Sequence, residues 1–165
     1  MFIGAAGSNQ TPYVNTSTAF SYNPSTNVLS VTSVKAQYAD LAENYAADAD
    51  YEPGTVMIFG GSNEITAASS FSDPSIAGVV STDPAYLMNG SQIGNYVLQI
   101  ALVGRVPCKV VGTIRKGDRL VSSDIPGVAT KLDPASYQPG CMIGKALQDY
   151  DSANPGIIEV AVGRS

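Results

Sequence analysis

The chain has 165 residues, of which 44% are hydrophobic and only 14% charged, so it carries enough apolar side chains for a buried core and is not a charge-solvated disordered chain. The net charge is −5, the basic residues are scattered singly, and no apolar run reaches the roughly 20 residues that span a bilayer, so we expect neither nucleic-acid binding nor membrane insertion. Histidine is absent, which excludes Ser-His-Asp and Cys-His catalysis and His-based zinc sites.

The first part of the chain, residues 1–35, differs in composition from the rest. Residues 1–34 contain no Asp, Glu, Lys or Arg and are rich in Asn, Ser and Thr. Within them "AFSYNPSTNVLSVTSV" predicts a hairpin, with Phe20 and Tyr22 before a turn over residues 23–27 and further apolar residues after it. A lone hairpin of this size is barely stable in water. We therefore predict a short, shaft-like β segment that is stabilised by copies of itself in other chains.

The next segment, residues 35–50, has two interpretations. Tyr38, Leu41 and Tyr45 fall at helical spacing, and the high alanine content also favours a helix. A period of two places Leu41 and Tyr45 on one face of a strand. Intrinsic propensity favours the helix, but the sequence leaves both interpretations of residues 38–46 open.

From Tyr51 onward the sequence is typical of β-structure. Short apolar runs alternate with Gly, Pro, Asn and Asp, which predicts an all-β sandwich or small barrel over residues 36–165. The runs are "TVMIF", "IAGVVS", "NYVLQIALVGRVPCKVV", "DRLVSS", "GVATKL", "MIGKAL" and "IIEVAVG".

Turns of one kind recur before these runs. Proline fixes the backbone for the second position of a type II turn, and glycine supplies the positive φ of the third. This predicts turns with an architectural role at Pro53-Gly54, Lys116-Gly117, Pro126-Gly127, Pro139-Gly140 and Pro155-Gly156.

The acidic run "DADYE" is a candidate metal site. Asp48, Asp50 and Glu52 would lie on one face of an extended segment, where a hard cation such as calcium could bind them. The run lacks the spacing of a calcium-binding loop, so a solvated acidic loop is the favoured interpretation.

A second polar cluster lies in "KGDRLVSSD", where Lys116, Asp118, Ser122, Ser123 and Asp124 follow closely. A Ser-Lys pair can act as nucleophile and base without histidine. A turn beside a polar strand explains the same residues, and this second interpretation is favoured.

Three isolated residues also stand out. Cys108 and Cys141 have too few companions for a zinc site, which favours two buried free thiols and leaves a disulfide between them open. Arg105 interrupts an apolar run and could bind a carboxylate across a subunit interface, with Asp40 and Glu43 as candidate partners.

Several phrases, in order, resemble the C-terminal domain of bacteriophage tail fibres and related virion appendages, especially those of marine phages. They are "QYADLAENY", "YEPGTVMIFGG", "IAGVVSTDPAYLMN", "ALVGRVPCKVVGTIRKGDRLVSSDIPGVATK" and "GCMIGKAL". The earlier "FSYNPSTNVLSVTSV" resembles the repetitive β segments of fibre shafts. The resemblance implies an intertwined homotrimer in which interchain strands stabilise the shaft and residues 36–165 form a globular cap.

A more distant resemblance concerns "YADLAEN" and "GVVS-x-x-P". These phrases are similar to the self-cleaving intramolecular-chaperone domain of phage neck appendages, which promotes trimer assembly and then cuts itself off. The comparison places Asp40 and Glu43 at acidic positions of the motif and Ser81 in the shared "GVVS" phrase. It also implies a strand, not a helix, over residues 38–46.

We therefore expect a structural, non-enzymatic virion protein without a cofactor. It would be assembled in the host cytoplasm and located on the phage tail or an appendage. Residues 60–75 and 82–96, which are polar and rich in Ser, Asn and Tyr, are the predicted loops for a bacterial cell-surface receptor, with carbohydrate as one candidate class.

Overall fold

The computed structural model describes residues 20–23, 25–31 and 38–163. The chain divides into two units, residues 1–36 and 37–165, which are treated separately below. No helix in the described ranges is long and apolar enough to cross a membrane.

The described part of the first unit is a β-hairpin. Strand β1 (Phe20–Asn23) runs antiparallel to β2 (Val28–Val31), with Phe20 opposite Val31 and Asn23 opposite Val28. Asn27 closes the turn with a φ of 54°, a left-handed conformation that asparagine tolerates better than most residues. The predicted hairpin is confirmed.

All the regular elements described in the second unit are strands, apart from one short 3-10 helix, which confirms the all-β class. Each of the seven predicted apolar runs overlaps a strand. The strands are β3 (Asp40–Ala47), β4 (Val56–Phe59), β5 (Ile65–Ala67), β6 (Ile76–Val80), β7 (Tyr86–Met88), β8 (Tyr96–Ile114), β9 (Arg119–Ser122), β10 (Ala129–Lys131), β11 (Gly144–Ala146) and β12 (Tyr150–Val162). A short 3-10 helix, Pro134–Ser136, follows β10.

Strand β3 decides between the two interpretations of residues 38–46. The helix favoured by propensity is wrong, and the strand implied by the resemblance is correct. The reason is non-local: β3 pairs antiparallel with β8 from Asp40 opposite Gly104 to Ala47 opposite Tyr96. These pairings and the burial of alternate side chains outweigh a helix preference of at most about 0.7 kcal/mol per ordinary residue.

The ten strands form one sheet, and the 19-residue strand β8 is its central element. The order is β10-β9-β11-β12-β8-β6-β4-β5-β3-β7, and two further pairings, β10–β8 and β8–β3, return to β8. The hydrogen-bonded strand pairs therefore form two closed circuits, both of which include β8. The first circuit consists of β8, β12, β11, β9 and β10, and the second of β8, β6, β4, β5 and β3.

Each circuit has its own buried cluster. One cluster takes apolar residues from all five strands of the second circuit: Ala47, Met57, Ile65, Ala77, Val80, Leu98 and Ile100. A larger cluster draws on every strand of the first circuit, including Val106, Cys108, Leu120, Ala129, Ala146 and Val160, and also includes Val56 and Val79 from the second. A side chain of β8 therefore joins one core or the other according to its position along the strand.

Four of the five predicted Pro-Gly and Lys-Gly turns have the expected backbone. Gly54, Gly117, Gly127 and Gly140 have φ between 72° and 92°. The prediction for Pro155-Gly156 is wrong, because these residues lie inside β12. They occupy an irregularity in its pairing with β8, between Ser152 and Gly156, where a proline is tolerated.

Candidate functional site

The two segments predicted as receptor loops meet at the protein surface. The side-chain amide of Gln92, from residues 82–96, donates a hydrogen bond of 2.8 Å to Oε2 of Glu64, from residues 60–75. The same oxygen accepts from the backbone N–H of Ala46 at 2.7 Å, which ties both segments to strand β3. The segments are not entirely loops, since they contain β5 and β7.

Asn89 fixes the shape of the second segment. Its amide donates to the carbonyl oxygen of Asn44 at 3.0 Å and to Oε1 of Gln92 at 3.1 Å, while the Asn44 amide donates to the carbonyl oxygen of Asn89 at 3.2 Å. Asn89 has a φ of 55°, which suits the turn that leaves β7. These reciprocal bonds hold the exposed residues 89–92 in one conformation.

An aromatic pair belongs to the same region. The rings of Tyr45 and Phe59 lie 5.5 Å apart in an edge-to-face arrangement, and Phe59 is 48% exposed. The Tyr45 hydroxyl donates to Oε2 of Glu43 at 2.8 Å. Burial, this hydrogen bond and the charges of Glu43 and Glu64 raise the pKa of Tyr45 to about 12, so the hydroxyl keeps its proton at neutral pH.

We call Tyr45, Phe59, Glu64, Asn89 and Gln92 the loop-junction surface. It combines an exposed aromatic ring with amide donors and carboxylate acceptors, all attached to paired strands or fixed turns. Such a surface can hydrogen-bond the hydroxyls of a polar ligand while the ring covers its apolar side. The composition of the sequence indicates the two loops. It does not indicate Tyr45 and Phe59, because these residues lie on different strands, β3 and β4, and become neighbours only in the fold.

The structure brings together two of the three residues proposed for self-cleavage. The Ser81 hydroxyl donates to Oδ2 of Asp40 at 2.7 Å, and the two residues are only 6% and 5% exposed. Asp40 begins β3 and Ser81 directly follows β6, so both positions depend on strands of the second circuit that pair with β8. An acid that accepts the proton of a serine is the minimum needed to activate a nucleophile.

Glu43 does not join this pair. It lies three residues after Asp40 on β3, and an odd separation points the two side chains to opposite faces of the strand. Its carboxylate instead accepts the hydrogen bond from Tyr45. The three proposed residues therefore do not form one site.

The acidic run is also divided. Asp48 accepts a hydrogen bond from Tyr51, which together with Thr66 and two backbone N–H groups lowers its pKa against the opposing effect of burial. Glu52 pairs with Lys109 at 3.2 Å, and exposed Asp50 stands between them. Across the residues that the structure describes, no three acidic or Cys side chains are grouped as a metal would require.

The residues of "KGDRLVSSD" have structural partners. Asp118 accepts from the backbone N–H of Arg115 and pairs with Lys131 at 3.0 Å, and these contacts lower its pKa although burial acts in the opposite direction. The Ser122 hydroxyl donates to the carbonyl oxygen of Ser70, and that of Ser123 to Val128. Neither serine hydroxyl is bonded to Lys116, which is exposed.

The isolated residues are placed as follows. Cys108 and Cys141 are both buried and free, which answers the open question of a disulfide, and burial raises the pKa of Cys108 to about 12. Arg105 is exposed, and its guanidinium has no salt-bridge partner in the described ranges, neither Asp40 nor Glu43. A pairing across a subunit interface stays a prediction.

No protein-family model matches the chain, and no curated protein matches it either.

Proposed function

We propose that the chain is the C-terminal region of a trimeric phage tail fibre or virion appendage, with a structural role in fibre trimerisation and host-surface attachment. Residues 1–35 would form the end of the shaft and residues 36–165 the cap. The resemblance of the sequence phrases gives this proposal its biological context. Physical support comes from the hairpin, the paired strands of the second unit and the loop-junction surface.

The hairpin is the observation that carries the proposal. β1 and β2 form a two-stranded sheet of their own, so each strand has one edge without a strand partner in the described part of the chain. Such edges are templates for pairing with another chain, and proteins usually protect them with charged residues. Residues 1–34 have no charged side chain, which favours pairing with sister chains.

The second unit suits a cap because its strands protect one another. We interpret the two circuits as two small barrels that share β8, each around its own apolar cluster. Closing a sheet removes its edges and keeps it soluble. A cap of this kind would end the shaft without offering most of its own strands for further pairing.

The loop-junction surface would contact the bacterial receptor. Exposed Phe59, Asn63 and Ser91, together with Glu64 and Gln92, offer the mixture of ring, amide, hydroxyl and carboxylate groups that suits a surface polysaccharide. In a trimer the same weak contact would be made by three caps. Simultaneous contacts raise the overall affinity by roughly 10²–10⁴ without any new interaction.

Two experiments test the proposal. Chemical cross-linking of the intact protein, followed by denaturing electrophoresis, should yield species of up to three chains, whereas single chains alone would contradict the assembly. For receptor binding, fluorescently labelled protein is applied to an array of bacterial surface polysaccharides and to intact cells of several strains. Phe59→Ala and Gln92→Ala should reduce binding, while Tyr137→Ala, which removes an exposed aromatic ring elsewhere in the cap, should not.

Self-cleavage during assembly is the second candidate function, and the buried Ser81–Asp40 hydrogen bond favours it. Asp40 would accept the serine proton as Oγ attacks a main-chain carbonyl near the junction of residues 35–40, and would return it to the amine that leaves as the C–N bond breaks. Water would then hydrolyse the acyl-serine ester and release the fragment. Intact-mass measurement of freshly expressed protein tests this idea. Loss of a fragment at that junction, abolished by Ser81→Ala, would support it, and an intact chain would exclude it.

A further inference from the structure

An apolar row crosses three neighbouring strands at one edge of the sheet. Tyr86 on β7 lies opposite Leu41 on β3, and Leu41 lies opposite Val103 on β8. Tyr86 is 64% exposed, Val103 is 46% exposed and Leu41 is half-buried, so the row faces solvent. It is about 10 Å wide, because neighbouring strands lie ~4.8 Å apart. We call these three residues the apolar strip.

The two ends of the strip carry opposite charges. Arg105 follows Val103 by two residues on β8, and its guanidinium has no ion-pair partner in the described ranges. Asp83 precedes β7 by three residues and is exposed, and its carboxylate raises the pKa of the nearby Tyr38 hydroxyl. The three salt bridges of the described chain do not include Arg105 or Asp83, so neither side chain has an ion-pair partner among the described residues.

We propose that the apolar strip is a self-association surface, on which a second copy of the chain packs with its Asp83 against Arg105 of the first. This inference rests on the proposed function, because it names the surface through which the caps would meet. It goes beyond that proposal in assigning Arg105 a partner, Asp83, that differs from both acids considered for it from the sequence.

Charge complementarity selects a second copy as the occupant. Because the strip has a cation on one flank and an anion on the other, each copy can present its Asp83 flank to the Arg105 flank of the next copy. Repeated head to tail, such a contact closes into a ring when the rotation per subunit is a simple fraction of a turn. Burying the strip would cover exposed Tyr86 and Val103 and pair both flanking charges.

The position of the strip in the chain supports the same occupant. Tyr38, whose pKa is raised by Asp83, is the first described residue of the second unit. The chain before it is the segment proposed to wind with sister chains. Sister chains that wind together over residues 1–35 would bring their strips close together, which lowers the entropic cost of the contact.

Cysteine accessibility in the full chain tests the proposal. Val103→Cys places a thiol in the strip, and Ile93→Cys places a control thiol at an 86% exposed position outside it. The native Cys108 and Cys141 are buried, so we expect them to react with maleimide too slowly to obscure the labelling of the introduced thiols. In the native oligomer, maleimide should label the strip thiol more slowly than the control thiol by roughly tenfold or more, because a covered thiol reacts only when the interface opens.

The outcomes separate this inference from the proposed function. Equal labelling rates in a protein that is still trimeric would refute the proposed role of the apolar strip but not the proposed trimer. A protein with the mass of one chain would overturn both. Tyr86→Cys repeats the measurement at the other end of the strip if Val103→Cys does not fold, and its rate is read in the same way.

A charge exchange in the Val103→Cys protein tests the Asp83–Arg105 contact. Arg105→Glu and Asp83→Arg, each alone, should place like charges across the interface and abolish the slow labelling of the strip thiol. Both exchanges together restore opposite charges and should restore slow labelling. If the protein with both exchanges labels no more slowly than the proteins with one, the proposed contact is wrong.

Discussion

Replacing Ser81 by alanine should destabilise the protein through one buried hydrogen bond. The substitution removes a single oxygen atom and leaves the Asp40 carboxyl group without the donor that lies 2.7 Å away. Because Asp40 is only 5% exposed, water cannot easily replace that donor. Losing a hydrogen bond to a charged group costs about 1.5–3 kcal/mol of unfolding free energy.

A double-mutant cycle isolates this contribution. Ser81→Ala, Asp40→Ala and the double variant are unfolded with urea at one fixed protein concentration, since the stability of an oligomer depends on concentration. The coupling free energy between the two sites should be about 1.5–3 kcal/mol. Asp40→Asn keeps an acceptor for the hydroxyl and should lose less stability than Asp40→Ala. Ser91→Ala, on the exposed turn, should change stability by less than about 0.5 kcal/mol.

A coupling free energy below about 0.5 kcal/mol would refute this account of the pair, because independent sites add to within that amount. The same variants serve the self-cleavage test. If Ser81→Ala loses stability but the wild-type chain stays intact, the pair has a structural role only.

Three further predictions concern backbone geometry, alkaline pH and thiol reactivity. Gly104→Ala should lose about 2–5 kcal/mol of unfolding free energy in urea, because φ is 126° and the new methyl group would collide with the Ala39 carbonyl oxygen; unchanged stability would show that β3 and β8 are not so closely paired. The pKa of Tyr45 in the folded protein lies above its ordinary value of 10.0. The unfolding free energy that its protonated hydroxyl contributes is therefore complete below pH 10.0 and is lost as the pH rises to about 12. The unfolding free energy should therefore fall more steeply with pH over that range in wild type than in Tyr45→Phe, and equal slopes would contradict the raised pKa. Cys108 and Cys141 should resist maleimide in the native protein and react after unfolding, as followed by mass spectrometry; rapid native labelling would contradict their burial.

Much of the fold could be predicted from local sequence because its signals are local. The apolar runs around β4, β6 and β8 are bounded by turn residues, and the Pro53-Gly54 and Pro126-Gly127 turns adopt the backbone that their chemistry dictates. Strand β3 could not be derived from propensity, since its residues pair with residues of β8 that lie 49 to 64 positions away in the sequence. The three-residue strands β5 and β7 are too short to produce a periodic signal.

The candidate site was only partly predictable for the same reason. Composition identified both exposed segments, but the Gln92–Glu64 hydrogen bond joins residues 28 positions apart. The Ser81–Asp40 pair spans 41 positions, and only the resemblance named both residues. The strand alternation that separates Glu43 from Asp40 was available from the strand interpretation of residues 38–46, but the helical interpretation obscured it.

Residues 1–35, which carry no charged side chain before Lys35, are expected to be stabilised by sister chains. The most direct test is the mass of the intact protein by sedimentation equilibrium, over a wide range of concentrations. We predict one species with three times the 17.1 kDa mass of the chain that does not dissociate on dilution. A stable, folded species with the mass of a single chain at every concentration would contradict the account.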